Sequence, residues 1–170
     1  MANRVRPRKA QKEGLSKNCK GPLMKLSTKS RYSLRAMLHL ALHQGAGVVM
    51  AREIAERQNL PETYLEQLML ALRKAGLVSA IRGAHGGYML ARKPEEITLA
   101  QIVVALEGSL SIADCCDVPN CCMDPVTCAL KDVFDEVNGK LYGAFNGITL
   151  ADLARRQQMK ELAEAPMYFI

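Results

Sequence analysis

The spacing of apolar residues changes period at Gly76, and that change limits the chain to few architectures. Before it, Leu65, Leu68, Met69 and Leu72 recur at i, i+3, i+4 and i+7, one face of a helix whose first turn accommodates Pro61. After it come two short β-prone pieces, 77–81 and 88–90, separated by Arg82-Gly83-Ala84-His85-Gly86-Gly87. The three glycines of that connection permit positive φ angles and mark a hairpin tip. Upstream, 51–58 reads as a short helix with Ile54 and Ala55 inward. Two short helices joined tightly form a helix-turn-helix, and a hairpin directly behind one is a wing.

The flanking segments extend this to a mainly α fold. Leu34, Met37, Leu38, Ala41 and Leu42 recur at helical spacing within 28–43, stopped by Gly45 and Gly47. Thr98 is placed to cap a helix carrying Leu99, Ile102, Val103 and Leu106 and ending near Gly108. From 129 to 146, Leu130, Val133, Phe134, Val137, Leu141, Ala144 and Phe145 form one stripe. With few other elements to cover it, that stripe is expected to pack partly on a second subunit, although an ordinary core helix shows the same pattern. Thr149 and Asp152 resemble a capping box opening a last short helix through Arg156, followed by a tail. The expected organisation is a basic arm or misassigned start over 1–23, a DNA-binding region over 24–93, a linking helix and cysteine loop over 94–128, dimerisation and short terminal helices over 129–157, and a tail over 158–170.

Charge is distributed unevenly. Residues 1–24 hold seven Lys or Arg against Glu13, residues 25–93 hold eleven against four acids, and residues 94–170 hold five against twelve. A basic half beside an acidic half suggests a polyanionic partner for the first, though a charge run is also simply a solvated face. On the outward side of the second helix of the helix-turn-helix stand Thr63, Glu66, Gln67, Arg73 and Lys74. Gln67 suits an adenine edge, Glu66 a cytosine amino group, and Thr63 a base or a phosphate. Arg73, Lys74, Lys29 and Arg31 suit phosphates, and Arg82 at the wing tip suits the minor groove or the backbone. These residues point to double-stranded DNA. The arm before Met24 adds cations for non-specific phosphate affinity.

Five of the six cysteines lie between Cys115 and Cys128, which suits a metal site better than a disulfide framework. Cys116-x5-Cys122-x5-Cys128 spaces three thiolates evenly on a loop, a pattern suited to an iron-sulfur cluster. Structural zinc usually draws on Cys-x2-Cys hairpins, which are absent here, and a reactive thiol pair is a third option. Cys115, Cys121, Asp132 or a group from a partner subunit remain open as fourth ligand. No Gly-rich nucleotide loop and no nucleophile with a neighbouring base occur, and the histidines are His39, His43 and His85. An enzyme acting on a small-molecule substrate is therefore not expected, and an electron-transfer module is the rival reading. No run of eighteen apolar residues and no secretory pattern is present, so no membrane association is expected and the compartment should be cytoplasmic.

Taken in order, Met24-Lys-Leu-Ser-Thr-Lys-Ser-Arg-Tyr32, Ile54-Ala-Glu-Arg-Gln58, Tyr64-Leu-Glu-Gln-Leu68, Leu72-Arg-Lys-Ala-Gly-Leu-Val78, Arg82-Gly-x-x-Gly-Gly-Tyr88, the three-cysteine loop and Ile148-Thr-Leu-Ala-Asp-Leu153 resemble the Rrf-type family of bacterial regulators. The resemblance implies a winged-helix homodimer whose long helices pack across a two-fold axis, binding roughly palindromic operators. It also implies that Thr63, Glu66 and Gln67 read bases and that Arg82 is the wing arginine. Two departures concern the cluster. Where iron-sulfur regulators of the IscR kind carry a histidine ligand for a two-iron cluster, this chain has Lys131. Where nitric-oxide sensors of the NsrR kind carry an aspartate ligand for a four-iron cluster, it has Arg31. A two-iron and a four-iron form are therefore both open.

Overall fold

The computed structural model describes residues 26–83, 86–113 and 128–164. Helix α1, Thr28–Leu42, is opened by Ser27, whose hydroxyl accepts from the Ser30 amide at 3.3 Å. The stripe expected along this helix is only part of what it buries. Ala36, Met37, Leu40 and Ala41 are buried with Ser30, Ser33 and His39, whereas Leu34, Leu38 and Leu42 are partly covered. The reason is its central position: α1 packs against four other α-helices of the fold and against the wing as well, so no single face is the inner one.

Helix α2, Ala51–Gln58, buries Ile54 and Ala55 as expected. It ends on Asn59, whose left-handed backbone (φ 51°, ψ 51°) turns the chain towards α3, Glu62–Lys74. Asn tolerates this region better than other non-glycine residues. Pro61 is the residue before α3 rather than a member of its first turn. The buried residues of α3 are Leu65, Leu68, Met69 and Leu72. Its end is a Schellman motif: Gly76 has φ +68°, its amide donates to Arg73 O at 3.0 Å, and the Leu77 amide donates to Leu72 O at 3.0 Å. Leu72 and Leu77, brought together by that turn, are both buried.

Strands β1, Val78–Ile81, and β2, Gly87–Leu90, pair antiparallel with Val78 opposite Leu90 and Ile81 opposite Gly87. Val49, from the segment joining α1 to α2, bridges the far side of β2 through reciprocal bonds with Tyr88 at 2.8 and 2.9 Å. The glycines of the wing serve different purposes from one another. Gly83 has φ +119°, but Gly86 and Gly87 are held by lack of room: a Cβ on Gly87 would lie 2.1 Å from Val49 O, and one on Gly86 would lie 2.3 Å from Ile81 O. Ala84 and His85 lie outside the described residues.

A 3-10 turn at Pro94–Glu96 leads to helix α4, Leu99–Glu107, opened by a full capping box between Thr98 and Gln101 and followed by Gly108 at φ +84°. The long helix α5 spans Ala129–Asn146. It packs on α4, yet none of its residues is buried by the described chain, and Leu130, Val133, Val137 and Tyr142 are exposed. The last helix, α6, runs Leu150–Glu164, so it continues well beyond the expected stop at Arg156 and occupies much of the expected tail. Its start is fixed by Thr149 and Asp152, which exchange hydrogen bonds at 3.1 Å. The Leu150 amide also donates to Ile97 O at 2.8 Å, and the Leu99 amide to Ile148 O at 3.0 Å. Leu150 and Ala154 thereby enter the same core as Met37, Leu65 and Leu72. Among the described residues no helix is long and apolar enough to cross a membrane.

Candidate nucleic-acid interface

Because Leu65, Leu68, Met69 and Leu72 hold α3 against the core, its opposite side is fixed in the open. Thr63, Glu66, Gln67, Arg73 and Lys74 are all exposed there, at spacings that repeat the helical period. Leu70 stands within the same row and is 43% exposed, an apolar residue the sequence reading left unassigned. Its signal was available: it falls four residues after Glu66 and three before Arg73, on the polar side of the helical period.

The wing flanks this row. Arg82 is exposed where β1 ends. Tyr88 of β2 reports how near the two elements lie: burial pushes its hydroxyl above the ordinary range, the Glu66 charge adds to that, and Arg73 opposes it. On the other flank, Tyr32 of α1 meets Tyr64 of α3 edge to face, with ring centroids 6.4 Å apart. Arg31 and Arg35 are exposed beside Tyr32 and line a shallow hollow with it. Arg31 also donates to the Thr28 hydroxyl at 3.4 Å. Lys29 is exposed too, but its ammonium is turned towards the end of α4, 3.4 Å from Leu106 O.

That contact belongs to a larger junction. One carboxylate oxygen of Glu107 accepts from the Ser30 hydroxyl at 2.5 Å and from the Ser27 amide at 3.3 Å. Burial pushes the Glu107 carboxyl up, but those hydrogen bonds, helped by the Lys29 charge, outweigh it and leave it below the ordinary value. The last residue of α4 therefore grips the first turn of α1, and residues 108–113 lead from it towards the cysteine segment. At the segment's other end Cys128 is half-buried and is the residue from which α5 departs. Asp132 is exposed in the first turn of α5, and Lys131 forms an i,i+4 ion pair with Asp135. Cys115, Cys116, Cys121 and Cys122 lie outside the described residues. Among the described residues the segment's potential ligands are the Cys128 thiol at the start of α5 and the Asp132 carboxylate one turn on, donor types that an iron-sulfur group accepts.

A helix-turn-helix with an exposed polar recognition face, backed by a two-stranded wing, defines a winged-helix transcription regulator. The chain belongs to the Rrf2 family, described as iron-dependent transcriptional regulators, whose family model matches residues 26–156. It is 40% identical over 132 residues to the protein rrf2 of Nitratidesulfovibrio vulgaris, covering 78% of this chain and 88% of that one. With the HTH-type transcriptional regulator IscR of Photobacterium profundum it shares 36% identity over 140 residues, 82% of this chain and 81% of that one. Among solved structures, T. potens IscR matches with a TM-score of 0.68 at 40% identity, covering 85% of this chain and 96% of that one. CymR, the global cysteine regulator of B. subtilis, matches with a TM-score of 0.61 at 39% identity, covering 78% and 97%. The protein is thus a DNA-binding transcription regulator and not an enzyme.

Proposed function

We propose that the protein is a homodimeric, iron-sulfur-dependent regulator acting in the cytoplasm, in which occupancy or modification of a cluster sets the affinity for a palindromic DNA operator. The observation that carries this reading is the anchorage of the cysteine segment. The helix that leads towards it, α4, is tied through Glu107 to the first turn of α1, and Cys128 at the segment's far end begins α5, several of whose apolar residues are exposed. Any change in the shape of that segment acts on a DNA-reading half and on a candidate dimer helix together.

In this reading Cys116, Cys122 and Cys128 hold the cluster, with Cys115, Cys121 or Asp132 as fourth ligand. Such a cluster supplies sensitivity to redox state, nitric oxide or iron-sulfur supply. The chain's own residues do the rest. Leu130, Val133 and Val137 of α5 pack on a second copy, which fixes the separation of two α3 helices. Gln67 reads adenine, Glu66 a cytosine amino group, and Thr63 a base or phosphate, while Leu70 meets a thymine methyl. Arg73, Lys74, Arg31 and Lys29 neutralise phosphates, and Arg82 enters the adjacent minor groove or holds the backbone. Coupling of about 1–3 kcal/mol between cluster and operator suffices for a regulatory switch.

The test is an absorption spectrum of protein purified without oxygen, with iron, sulfide and zinc determined on the same sample, followed by operator titration with and without cluster. Matched iron and sulfide with a change in operator affinity is the expected result. Equal affinity in both states across several promoters removes the coupling. A second reading, thiol-based sensing without a cluster, has support in the likeness to CymR of B. subtilis and to the oxidized form of Staphylococcus aureus CymR, at 36% identity and a TM-score of 0.62. Colourless protein without metal, whose operator affinity responds to oxidants, favours it, whereas colourless protein holding zinc points to a structural metal.

A further inference from the structure

We propose that His39, His43 and Glu53 form a second metal site, separate from the cysteine segment, that takes a divalent transition-metal ion of the zinc class. His39 in the last turn of α1 and His43, the residue that caps its end, face the first turn of α2, which supplies Glu53. His39 Nε2 lies 3.0 Å from Glu53 Oε1, and His43 Nε2 lies 3.8 Å from the same oxygen. One ligand atom from each residue falls within 4.8 Å of the other two. Ligand atoms around tetrahedral zinc stand about 3.3 Å apart, so one histidine–carboxylate separation is already suitable and the other needs a small ring rotation.

The orientation of His43 is the decisive observation. Its Nδ1 is 2.8 Å from the His39 backbone carbonyl, an atom that only accepts, so Nδ1 carries a proton. In the neutral ring Nε2 then presents a lone pair towards the Glu53 carboxylate, and 3.8 Å is too long for a hydrogen bond in any case. Glu53 Oε1 already accepts from His39 Nε2 at 3.0 Å, so a metal at this point would replace that proton and meet the His43 lone pair as well. Donation of the second ring N–H to a carbonyl is also how metal-bound histidines are usually held. His39 is buried, which lowers its pKa, with the Glu53 hydrogen bond opposing the shift. The neutral ring is the form that binds metal.

Two imidazoles and one carboxylate select zinc-like ions over magnesium or calcium, which prefer all-oxygen shells, and they leave a fourth position for water. Both histidines line a cleft of about 450 Å³, as do Arg57 of α2 and Gln157 and Glu161 of α6. A metal here would clamp α2, the first helix of the helix-turn-helix, to the central helix. The inference does not depend on what the cysteine segment binds.

The experiment titrates the metal-free full chain with Zn2+, and separately with Co2+, alongside His43→Gln and Glu53→Gln. Both replaced side chains are partly exposed, and the cysteines are common to all three proteins, so differences isolate this site. Wild type should bind one more equivalent of Zn2+ than either variant. Its Co2+ spectrum should contain a component lacking thiolate charge transfer that the variants lose. Saturating zinc should raise its melting temperature by more than theirs. Equal stoichiometry and equal zinc-induced melting shifts in all three would overturn the proposal and leave Glu53 as a hydrogen-bond partner of His39 alone.

Discussion

Gly87→Ala isolates a single steric contact in the wing. Gly87 does not have a positive φ, so alanine meets no backbone strain there and its only cost is the added methyl. That methyl would lie 2.1 Å from Val49 O, 2.7 Å from Val49 C and 2.9 Å from Val48 Cγ1. Two of the three obstructing atoms are backbone, so no rotamer change relieves the clash, and Val49 must move away by about an ångström to restore ordinary contact distances. The movement breaks both bonds between Val49 and Tyr88 and pulls Val49, a core residue, outward. Two backbone hydrogen bonds contribute about 1–3 kcal/mol together, and the forced shift in a packed region adds about 1–2 kcal/mol. The expected loss of about 2–5 kcal/mol corresponds to a fall of roughly 5–15 °C in melting temperature for a chain of this size. Thermal and urea unfolding followed by circular dichroism measure it, and operator titration well below the transition tests whether the displaced hairpin still presents Arg82. A midpoint within about 2 °C of wild type would refute the reasoning, because it would mean that Val49 gives way freely and that the third strand contact contributes little.

Glu107→Gln keeps the shape of the α1–α4 junction but weakens its charge-assisted bonds, and should cost about 1–2 kcal/mol in urea unfolding. The Glu107 carboxyl in the folded chain lies below its ordinary 4.5, so its contribution is complete above that pH and is lost as pH falls through the lower folded-state value; wild type should lose stability in that window faster than the variant. Val133→Glu with Val137→Glu places charges on exposed positions of α5, so helix content should survive while light scattering shows a monomer. A persistent dimer would move the interface elsewhere. Leu70→Ala should change folding stability by less than about 0.5 kcal/mol, since the residue is exposed, yet weaken operator binding by about 1 kcal/mol without changing affinity for random DNA. Equal losses on both DNAs would place Leu70 outside base reading.

What the sequence disclosed depended on how far apart the interacting residues stand. The inner face of α3, the bounds of α5 and the Thr98 and Thr149 caps are written in neighbouring residues, and each was readable from spacing alone. The burial of α1 was read less well, because a helix enclosed on several sides has no single stripe and its period underdetermines which residues face inward. The end of α6 was missed for the opposite reason: Met159 and Leu162 are exposed, so no apolar period runs through the last turns, and good helix formers such as Gln, Lys and Glu continue the helix without a core to mark it. In the wing the glycine spacing marks a hairpin tip, whereas Gly86 is confined by carbonyls of its own hairpin and Gly87 by the Val49 carbonyl, a partner from another segment that no local pattern names. The same holds at the sites. The exposed row from Thr63 to Lys74 was legible because its opposite face is so plainly apolar. Ser30 and Glu107 are 77 positions apart and His39 and Glu53 are 14 apart, so each pairing exists only once the helices have packed. A serine in a helix and a histidine beside a leucine carry no mark of such partners. The exposed row of α3 is thus encoded within one helix, whereas the groups that join α1 to α4 and α2 are encoded between helices.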